Sequence, residues 1–494
     1  LLAASVLVFF NVDRGGELRD VDEAAWLFNG AYLDLYITGD WDNPSWREFD
    51  KYAHHPPVGN YLFGALLYAI GEPIRSMEPR RFWYENDLDL TYNPIAFVRG
   101  LHERFTSRQV VAGRYAAAAV GLLTAVALMI LAWRLAGPVA GYVSFILLAI
   151  HPAFLDVATL CSIETTIMLF SVLCVLFGYE MGRAFTDRSR MAFLWCVLCG
   201  VCLGLFFATK ISAFPWVAAV FISAVAGAEG GRAIKLSLLG SALIFVIAVA
   251  VAVAVDPALH GNFITTTIER MEWRLLRVEI QSILFLGQRI PTFLGRLAFA
   301  SYWLFFVSVI SSVMFFLAVA GVGGRWLPHS GVEPRRQSLI VALAIYSLFL
   351  VLITVPLAWM RYVATSVPFI VLLEGLGAAC LWGVLRHWRL LKAERQRLIA
   401  LVLLISTAIP AVLSSGFYIY RWHEPPWPTK KEIRTSIMFA LSLGHPGHDL
   451  QMHKELLEYF TETGNRKWAD YQRSWIDRME KRQKEGEKQM KSTE

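Results

Sequence analysis

Apolar runs of about twenty residues recur along most of this chain, and they constrain its fold more than any other feature. A helix of that length crosses the roughly 30 Å hydrocarbon core of a bilayer. The composition agrees, because 56% of the 494 residues are hydrophobic and 17% are charged. We therefore expect an all-α polytopic membrane protein with about eleven transmembrane helices. Ten of the predicted spans lie at 113–133, 139–155, 162–180, 191–208, 212–228, 235–255, 298–322, 338–357, 362–384 and 398–418.

Residues 1–12 are apolar but make only about half of a span. We expect them to be part of a first transmembrane helix, and a signal-peptide remnant is the alternative interpretation. Both interpretations place the chain from Asp13 onward on the outer side of the membrane.

The distribution of arginine and lysine predicts which side is outer, because short cytoplasmic loops carry an excess of both. One set of short loops is rich in them and is assigned to the cytoplasm: Arg134, Arg183, Arg188, Arg190, Arg232, Lys235, Arg325, Arg335, Arg336, Arg386, Arg389, Lys392, Arg395 and Arg397. The short loops of the opposite side carry only Lys210 and Arg361. The net charge of +6 largely reflects this bias. No nucleic-acid-binding motif accompanies it, so nucleic acid is not an expected partner.

Three long segments lie on the predicted outer side and suggest the domain organisation. Residues 13–112 form an outer loop with juxtamembrane helices, one over Asp22–Tyr36 and one over Gly59–Ile70, the second too short to span. Residues 113–420 form the transmembrane bundle. It is interrupted by an outer loop at 256–297 whose basic amphipathic helix contains Arg270. Residues 421–494 are expected to be a soluble C-terminal tail on the outer side.

The six cysteines do not suggest a disulfide framework, because they fall in or beside predicted spans. Cys196, Cys199 and Cys202 have a spacing seen in iron–sulfur ligation. They lie inside an apolar helix, where a cluster has no room, so we expect them to pack as small hydrophobic side chains.

Charged residues at membrane depth are costly and mark candidate functional positions. Glu164 begins a span, although a carboxylate there could serve only the helix dipole. Asp156 is a weaker candidate in the preceding connection. Lys210 and Arg361 break the charge bias of their side; a snorkelling lysine and an interfacial arginine are the structural alternatives. For Glu374, in the middle of a span, we expect a helix–helix hydrogen bond.

The first outer loop adds an acid pair and an imidazole pair. Asp22 and Glu23 begin its first predicted helix, where Asp22 could act only as a helix cap. His54 and His55 precede two prolines, where they could simply end a loop. All these groups map to one membrane face. An acceptor hydroxyl needs a carboxylate within reach, and a phosphate leaving group needs nearby positive charge. The sequence thus favours chemistry on a lipid-borne phosphate substrate.

These residues resemble motifs of the membrane glycosyltransferases of the GT-C fold, in particular glycosyltransferase family 39, which contains protein O-mannosyltransferases and lipid A aminoarabinose transferases. The resembling elements are Asp22-Glu23, His55-Pro56-Pro57-x-Gly59, the span opening at Glu164, Thr209-Lys210, and Arg361-Tyr362 with Pro368. The chain departs from the family pattern at Asn60, where a lysine is usual, and at Glu164, where aspartate is usual. It also lacks room for a β-trefoil insert in 256–297.

The resemblance implies a GT-C-like bundle that transfers a sugar from a polyprenyl-phosphate donor to an unidentified acceptor at the outer face. It implies Asp22 as general base, with Glu23 and Glu164 orienting sugar or acceptor or holding a metal. His55, Lys210, Arg361 and Tyr362 would hold the donor, with His54, Asp156 and Arg270 as secondary candidates. A divalent cation, Mg²⁺ or Mn²⁺, is compatible with the carboxylates, although no compact ligand motif is present.

Two other function classes stay open. A transporter or flippase of lipid-linked glycans would explain the spans, but we find no related halves or interrupted midplane helices in the sequence. A membrane scaffold whose tail recruits partners is the third hypothesis. We expect a multi-pass integral membrane protein, in the plasma (inner) membrane if its source is bacterial, with the active site on the extracytoplasmic side.

Overall fold

The computed structural model describes most of the predicted bundle. The described residues are 21–46, 56–74, 105–210, 213–271, 317–323, 331–354 and 363–387, with residues 9, 296–297 and 304 and a few tail positions between 454 and 480. The predicted span at 398–418, most of the tail and most of 272–316 lie outside the described residues. The boundaries of the outer loops and tail therefore stay predictions.

The described residues are helical and contain no β-strand. Three helices come from the first outer loop, and the rest build the bundle. The helices are α1 (Val21–Asn29), α2 (Ala31–Thr38), α3 (Val58–Ala69), α4 (Ser107–Ala136), α5 (Pro138–Ile150), α6 (Pro152–Ala158), α7 (Glu164–Thr186), α8 (Met191–Phe207), α9 (Trp216–Gly227), α10 (Gly230–Val255), α11 (Pro334–Thr354) and α12 (Val367–His387). This confirms the all-α prediction.

Four of the described helices are long and apolar enough to cross a membrane, namely α4, α7, α10 and most of α12. Helices α3, α5, α8 and α9 are apolar but shorter. Two of the boundaries have a clear local cause. Thr106 and Gln109 form a capping box that starts α4, and Gly137 at φ 88° followed by Pro138 separates α4 from α5. The predicted total of about eleven spans includes segments outside the described residues.

Helix α7 is the centre of the bundle, packed against α4, α8, α9 and α10. Of its most apolar stretch 78% is buried, against 28% for α10, so α10 presents most of its surface to lipid. Gly182 of α7 and Gly227 of α9 bring the two backbones into contact, because a side chain at either position would meet a carbonyl oxygen of the other helix. Cys199 also packs here, with its Sγ 3.4 Å from the carbonyl oxygen of Cys174. The predicted role of the cysteines as packing residues is confirmed.

The two ends of the bundle differ in charge as the sequence predicted. Arg134, Arg183, Arg335 and Arg336 gather at one end, where Arg134 and Arg183 both approach Glu180. The opposite end carries the first outer loop. The structure thus confirms that the arginine-rich connections and the first outer loop lie at opposite ends of the bundle. The assignment of the arginine-rich end to the cytoplasm stays a prediction.

The first outer loop differs from expectation in one respect, because α1 and α2 are separate helices and not one helix over Asp22–Tyr36. The break is at Gly30, which packs against the backbone of Gly64 in α3. A Cβ at Gly30 would lie 2.9 Å from the Gly64 nitrogen, and one at Gly64 would lie 2.8 Å from Leu33 Cβ. The two glycines therefore let α3 cross the α1–α2 turn at backbone distance. The predicted short helix at Gly59–Ile70 is confirmed by α3.

This crossing gives a test of the fold. Gly64→Val should force α3 away from the α1–α2 turn and destabilise the protein by about 1–3 kcal/mol, the usual cost of overpacking. The midpoint of thermal unfolding of the detergent-solubilised protein measures the effect. Gly231→Val is the matched control, since a Cβ at Gly231 meets no atom within 4 Å. Equal midpoints for the two variants would contradict the crossing.

Candidate active site

The candidate site surrounds a short turn, residues 159–163, that connects α6 to α7. The turn lies at the end of the bundle opposite the arginine cluster. Helices α1, α3 and α4 and the end of α8 contact it or the first residues of α7. Two buried ion pairs and one backbone hydrogen bond hold these elements together.

The first ion pair joins Glu23 of α1 to Arg114 of α4. Arg114 Nε lies 2.9 Å from Glu23 Oε1, and Arg114 Nη2 lies 2.8 Å from Glu23 Oε2. Both side chains are almost fully buried. The amide of Cys161 also donates to Glu23 Oε1, at 3.0 Å. A buried pair needs this two-point geometry and an extra hydrogen bond to offset the loss of hydration. Glu23 thereby ties α1 to α4 and to the turn before α7.

Cys161 itself is buried between the two charged groups. Burial and the nearby Glu23 carboxylate raise the pKa of the Cys161 thiol well above its usual range. The thiol is therefore neutral, and its Sγ approaches the carbonyl oxygen of Val110 at 3.6 Å. This cysteine packs the turn against α4 and is not a nucleophile.

The second ion pair joins Glu164, the first residue of α7, to Lys210 after α8. Lys210 Nζ lies 3.0 Å from Glu164 Oε1, and the Ser162 hydroxyl donates to Glu164 Oε2 at 2.6 Å. Lys210 and Glu164 are 5% and 2% exposed, so neither is a snorkelling surface charge. The sequence correctly placed Glu164 at a helix start and Lys210 just past a helix end, and the bundle brings them into contact.

The start of α3 docks beside this second pair. The amide of Val58 donates to the carbonyl of Ala208 at 2.7 Å. A Cβ at Gly59 would lie 2.8 Å from Ile163 Cγ2 and 3.0 Å from Thr209 Cγ2. The glycine of the Pro-Pro-x-Gly motif is thus required because α3 wedges between the residues that precede Glu164 and Lys210. The motif therefore lies at the candidate site, as the resemblance implied.

A third buried ion pair, in the second outer loop, lies at the same end of the bundle as the candidate site. Arg270, in a helical segment at 263–271, places Nη1 2.5 Å from Asp256 Oδ2 and Nη2 3.3 Å from Oδ1. Tyr61 of α3 and Tyr36 of α2 donate to the carbonyl oxygens of Val255 and Ala254, at 2.9 and 3.1 Å. Burial is the main cause that raises the pKa of Tyr61 above its usual range, so its hydroxyl stays protonated and a donor. Arg270 thus holds the helical segment 263–271 against Asp256, next to the end of α10 that the two tyrosines bind.

Several predicted site residues lie outside what the structure describes. These are His54, His55, Arg361, Tyr362 and the side chain of Asp22, whose backbone belongs to α1. From the hydrogen-bond reach needed on both sides of one acceptor group, we expect the Asp22 carboxylate to lie within roughly 10 Å of the Glu164 carboxylate, and this stays a prediction. Asp156 lies in helix α6 and is half-buried. The structure does bring Glu23 to the Cys161 amide, three residues before Glu164.

Glu374 differs from its prediction. It is fully buried in α12, and neither carboxylate oxygen accepts or donates a hydrogen bond within the described part of the chain. The next residue, Gly375, packs directly against Ser144 of α5, whose hydroxyl instead donates to the Val371 carbonyl at 3.3 Å. The Ser144 hydroxyl thus donates elsewhere, and the predicted helix–helix hydrogen bond of Glu374 is not found among the described residues.

At this end of the bundle two buried charges escaped the sequence analysis, namely Arg114 and Asp256. Arg114 lies one residue inside the predicted span 113–133, and a charge at that depth is itself a signal. Asp256 follows a span and precedes a proline, where its side chain accepts from the amide of Ala258 at 3.2 Å. Among the residues that the structure describes, no three His, Cys, Asp or Glu side chains are placed to hold a metal ion. Glu23 and Glu164 each face a cationic side chain instead.

Comparison with known proteins now adds to this geometry. Residues 96–255 match the family described as dolichyl-phosphate-mannose-protein mannosyltransferase, which is less than half of the chain. None of the curated protein sequences is significantly similar.

Solved structures resemble the whole fold. ArnT from Cupriavidus metallidurans bound to undecaprenyl phosphate is 16% identical, with a TM-score of 0.50 over 96% of this chain and 74% of that one. The archaeal oligosaccharyltransferase AglB from Archaeoglobus fulgidus, in complex with an inhibitory peptide and a dolichol-phosphate, is 13% identical, with a TM-score of 0.52 over 90% of this chain and 59% of that one. The resemblance read from the outer-face motifs is thereby confirmed, and the chain has the GT-C fold of polytopic membrane glycosyltransferases.

Proposed function

We propose that this protein is a membrane glycosyltransferase that transfers a sugar from a polyprenyl-phosphate donor to an acceptor at the outer face. The observation that carries the proposal is the docking of α3 between Ile163 and Thr209, which puts the Pro-Pro-x-Gly motif beside the buried Glu164–Lys210 pair. Support also comes from the family matched by residues 96–255 and from the lipid phosphates bound to the two structural relatives.

In the proposed reaction an acceptor hydroxyl attacks the anomeric carbon of the donor sugar. The bond from that carbon to the phosphate oxygen breaks, and polyprenyl phosphate leaves with the electron pair. Asp22 takes the hydroxyl proton as general base, which needs a carboxylate within hydrogen-bond reach of the acceptor. Lys210, His55 and Arg361 stabilise the negative charge that develops on the phosphate, and Tyr362 lies beside Arg361 in the same motif.

Glu23 has a different role in this proposal. Both of its carboxylate oxygens accept hydrogen bonds from Arg114, and one also accepts from the Cys161 amide. A carboxylate held in this way is a poor base and a poor metal ligand. We therefore assign Glu23 a positioning role, in which it fixes the backbone of α1, and with it Asp22, against the turn before Glu164. Glu164 is the acid next to the donor-binding lysine and holds Lys210 at the site.

The decisive experiment is turnover by the purified, detergent-solubilised protein with a panel of radiolabelled polyprenyl-phosphate sugars. A glycosyltransferase releases polyprenyl phosphate and labels an acceptor in micelles. A flippase only moves its substrate from one side of a bilayer to the other, so it gives no product in micelles. Absence of turnover with every donor, together with transbilayer movement of the same donors in vesicles, would favour the transporter hypothesis.

The general base can be tested by Asp22→Asn. Loss of a general base lowers the rate by about 10²–10⁴-fold while donor binding stays unchanged. Asp42→Asn, an exposed acid of the same loop, is the control and should keep full turnover. Near-normal turnover of the Asp22 variant would remove it from the mechanism.

The positioning role of Glu23 can be tested by changing its partner as well. Arg114→Met alone leaves a buried carboxylate unpaired and should lower the free energy of unfolding by about 3–5 kcal/mol. The double variant Glu23→Leu, Arg114→Met removes both charges and should recover most of that stability and retain measurable transfer. A double variant that is stable but fully inactive would instead show that Glu23 contacts the substrate.

Donor binding can be tested by Lys210→Ala and Arg361→Ala. Each removes a charged donor to phosphate and should raise the KM for the donor about tenfold to a hundredfold. Arg361→Lys should recover only part of the loss, because lysine lacks the two-point fork of arginine. Lys235→Ala, an exposed lysine at the other end of the bundle, should leave KM unchanged. Unchanged KM and kcat in both site variants would exclude them from the donor site.

A further inference from the structure

The end of the bundle remote from the candidate site carries four arginines that come from three different helices. Arg134 ends α4, Arg183 ends α7, and Arg335 and Arg336 begin α11. Contacts join Arg134, Arg183 and Arg336 into one group, which together with the neighbouring Arg335 we call the basic cluster. Arg336 Nη1 lies 3.5 Å from the carbonyl oxygen of Arg134, and Arg134 Nε and Arg183 Nη1 lie 3.2 and 3.6 Å from the same oxygen of Glu180.

The basic cluster has more arginines than ion-pair partners. Among the described residues, Arg134, Arg183 and Arg336 share two ion-pair partners, Glu180 and Glu333. Glu180 Oε1, which both Arg134 and Arg183 approach, accepts no hydrogen bond from either. Arg335 makes one bond, to the Val225 carbonyl at 2.5 Å. Each guanidinium has five N–H donors, so most of the donors in this described cluster are available to an anion.

The basic cluster is also accessible. The side chains of Arg134, Arg183 and Arg336 are 51%, 35% and 34% exposed. An anion can therefore reach three guanidinium groups from the surface without any rearrangement of the helices.

An exposed aromatic pair beside the basic cluster indicates where the cluster lies relative to the membrane surface. Trp133, adjacent to Arg134, and Tyr142 of α5 have ring centroids 5.5 Å apart and are 45% and 54% exposed. Tryptophan and tyrosine concentrate at the membrane–water interface, where the ring lies among lipid chains and its polar atom reaches the headgroups. Ile130, one turn deeper in α4, is 42% exposed and continues the apolar surface into the membrane. The basic cluster thus lies at headgroup level, directly beside a surface suited to acyl chains.

We propose that the basic cluster is a binding site for an anionic membrane phospholipid, with the headgroup phosphate on Arg134, Arg183 and Arg336 and an acyl chain along Trp133, Tyr142 and Ile130. Arginine suits this ligand because its planar fork grips two phosphate oxygens at once. The aromatic and aliphatic surface favours a lipid over free phosphate, which would gain nothing from it. The bound lipid joins the ends of α4, α7 and α11, and this role does not depend on the proposed transfer reaction.

The test uses full-length protein in mixed micelles with increasing phosphatidylglycerol, with phosphatidylcholine as the zwitterionic reference. The midpoint of thermal unfolding reports binding, and its dependence on lipid concentration gives an apparent affinity. Wild-type protein should be stabilised by phosphatidylglycerol and not by phosphatidylcholine. Arg134→Gln with Arg183→Gln should weaken the apparent affinity about 25-fold, at about fivefold per arginine.

Arg190→Gln with Arg232→Gln is the matched control, because both arginines are exposed at the same end but make no hydrogen bond or ion pair with the cluster within the described residues. It should retain wild-type affinity. Trp133→Leu should weaken phosphatidylglycerol binding while leaving any effect of inorganic phosphate unchanged.

Three results would overturn the proposal. Equal loss of affinity in the cluster and control pairs would mean a diffuse electrostatic attraction. Full stabilisation by inorganic phosphate alone would mean a simple anion site. Wild-type affinity in the cluster variant would show that these arginines do not hold the lipid.

If the glutamine pair does not fold, Arg134→Lys with Arg183→Lys is the second variant. It keeps the charge but loses the two-point guanidinium fork, and it should still weaken binding.

Discussion

The burial of charge in an apolar bundle controls the arrangement of the outer end of this protein. Each buried carboxylate near the site, Glu23, Glu164 and Asp256, has a cationic partner on a different element. An unpaired charge in such a place is strongly unfavourable, so the pairs decide which elements meet. Glu23 with Arg114 brings α1 to α4, and Glu164 with Lys210 brings the start of α7 to the end of α8. The apolar pattern of the sequence does not by itself determine which of these elements contact one another at the site, whereas the ion pairs do.

The bundle itself could be predicted because lipid imposes simple requirements on a chain. Span positions follow from apolar length, and the gathering of Arg134, Arg183, Arg335 and Arg336 at one end follows from charge bias in short loops. The break between α1 and α2 could not be predicted. It depends on Gly30 meeting Gly64, a contact between residues 34 positions apart that leaves no periodic trace in the sequence.

Within the described part of the site, individual charged residues could be picked out from the sequence, but their pairings could not. Glu164 and Lys210 were recognised as unusual charges, yet the sequence assigned them separate tasks and gave no reason to expect them 3.0 Å apart. Arg114 went unnoticed because a single arginine in an alanine-rich stretch barely lowers the mean hydropathy of a span. Gly59 shows the opposite case. The motif was visible, but the reason for its glycine, contact with Ile163 and Thr209, needs the folded bundle.

The contacts of the first outer loop have a consequence for the order in which the protein assembles. Glu23 is bonded to the amide of a residue 138 positions later, and Tyr36 to a carbonyl 218 positions later. During synthesis the chain emerges N-terminus first, so the loop reaches the membrane long before its partners exist. This early segment therefore completes its contacts late, after α10 has been inserted. Glu23 gains its partner Arg114 as soon as α4 has been made, but the Tyr36 and Tyr61 hydroxyls lack their carbonyl partners until residue 255. A ribosome stalled before that residue would hold a partly assembled bundle without these loop contacts.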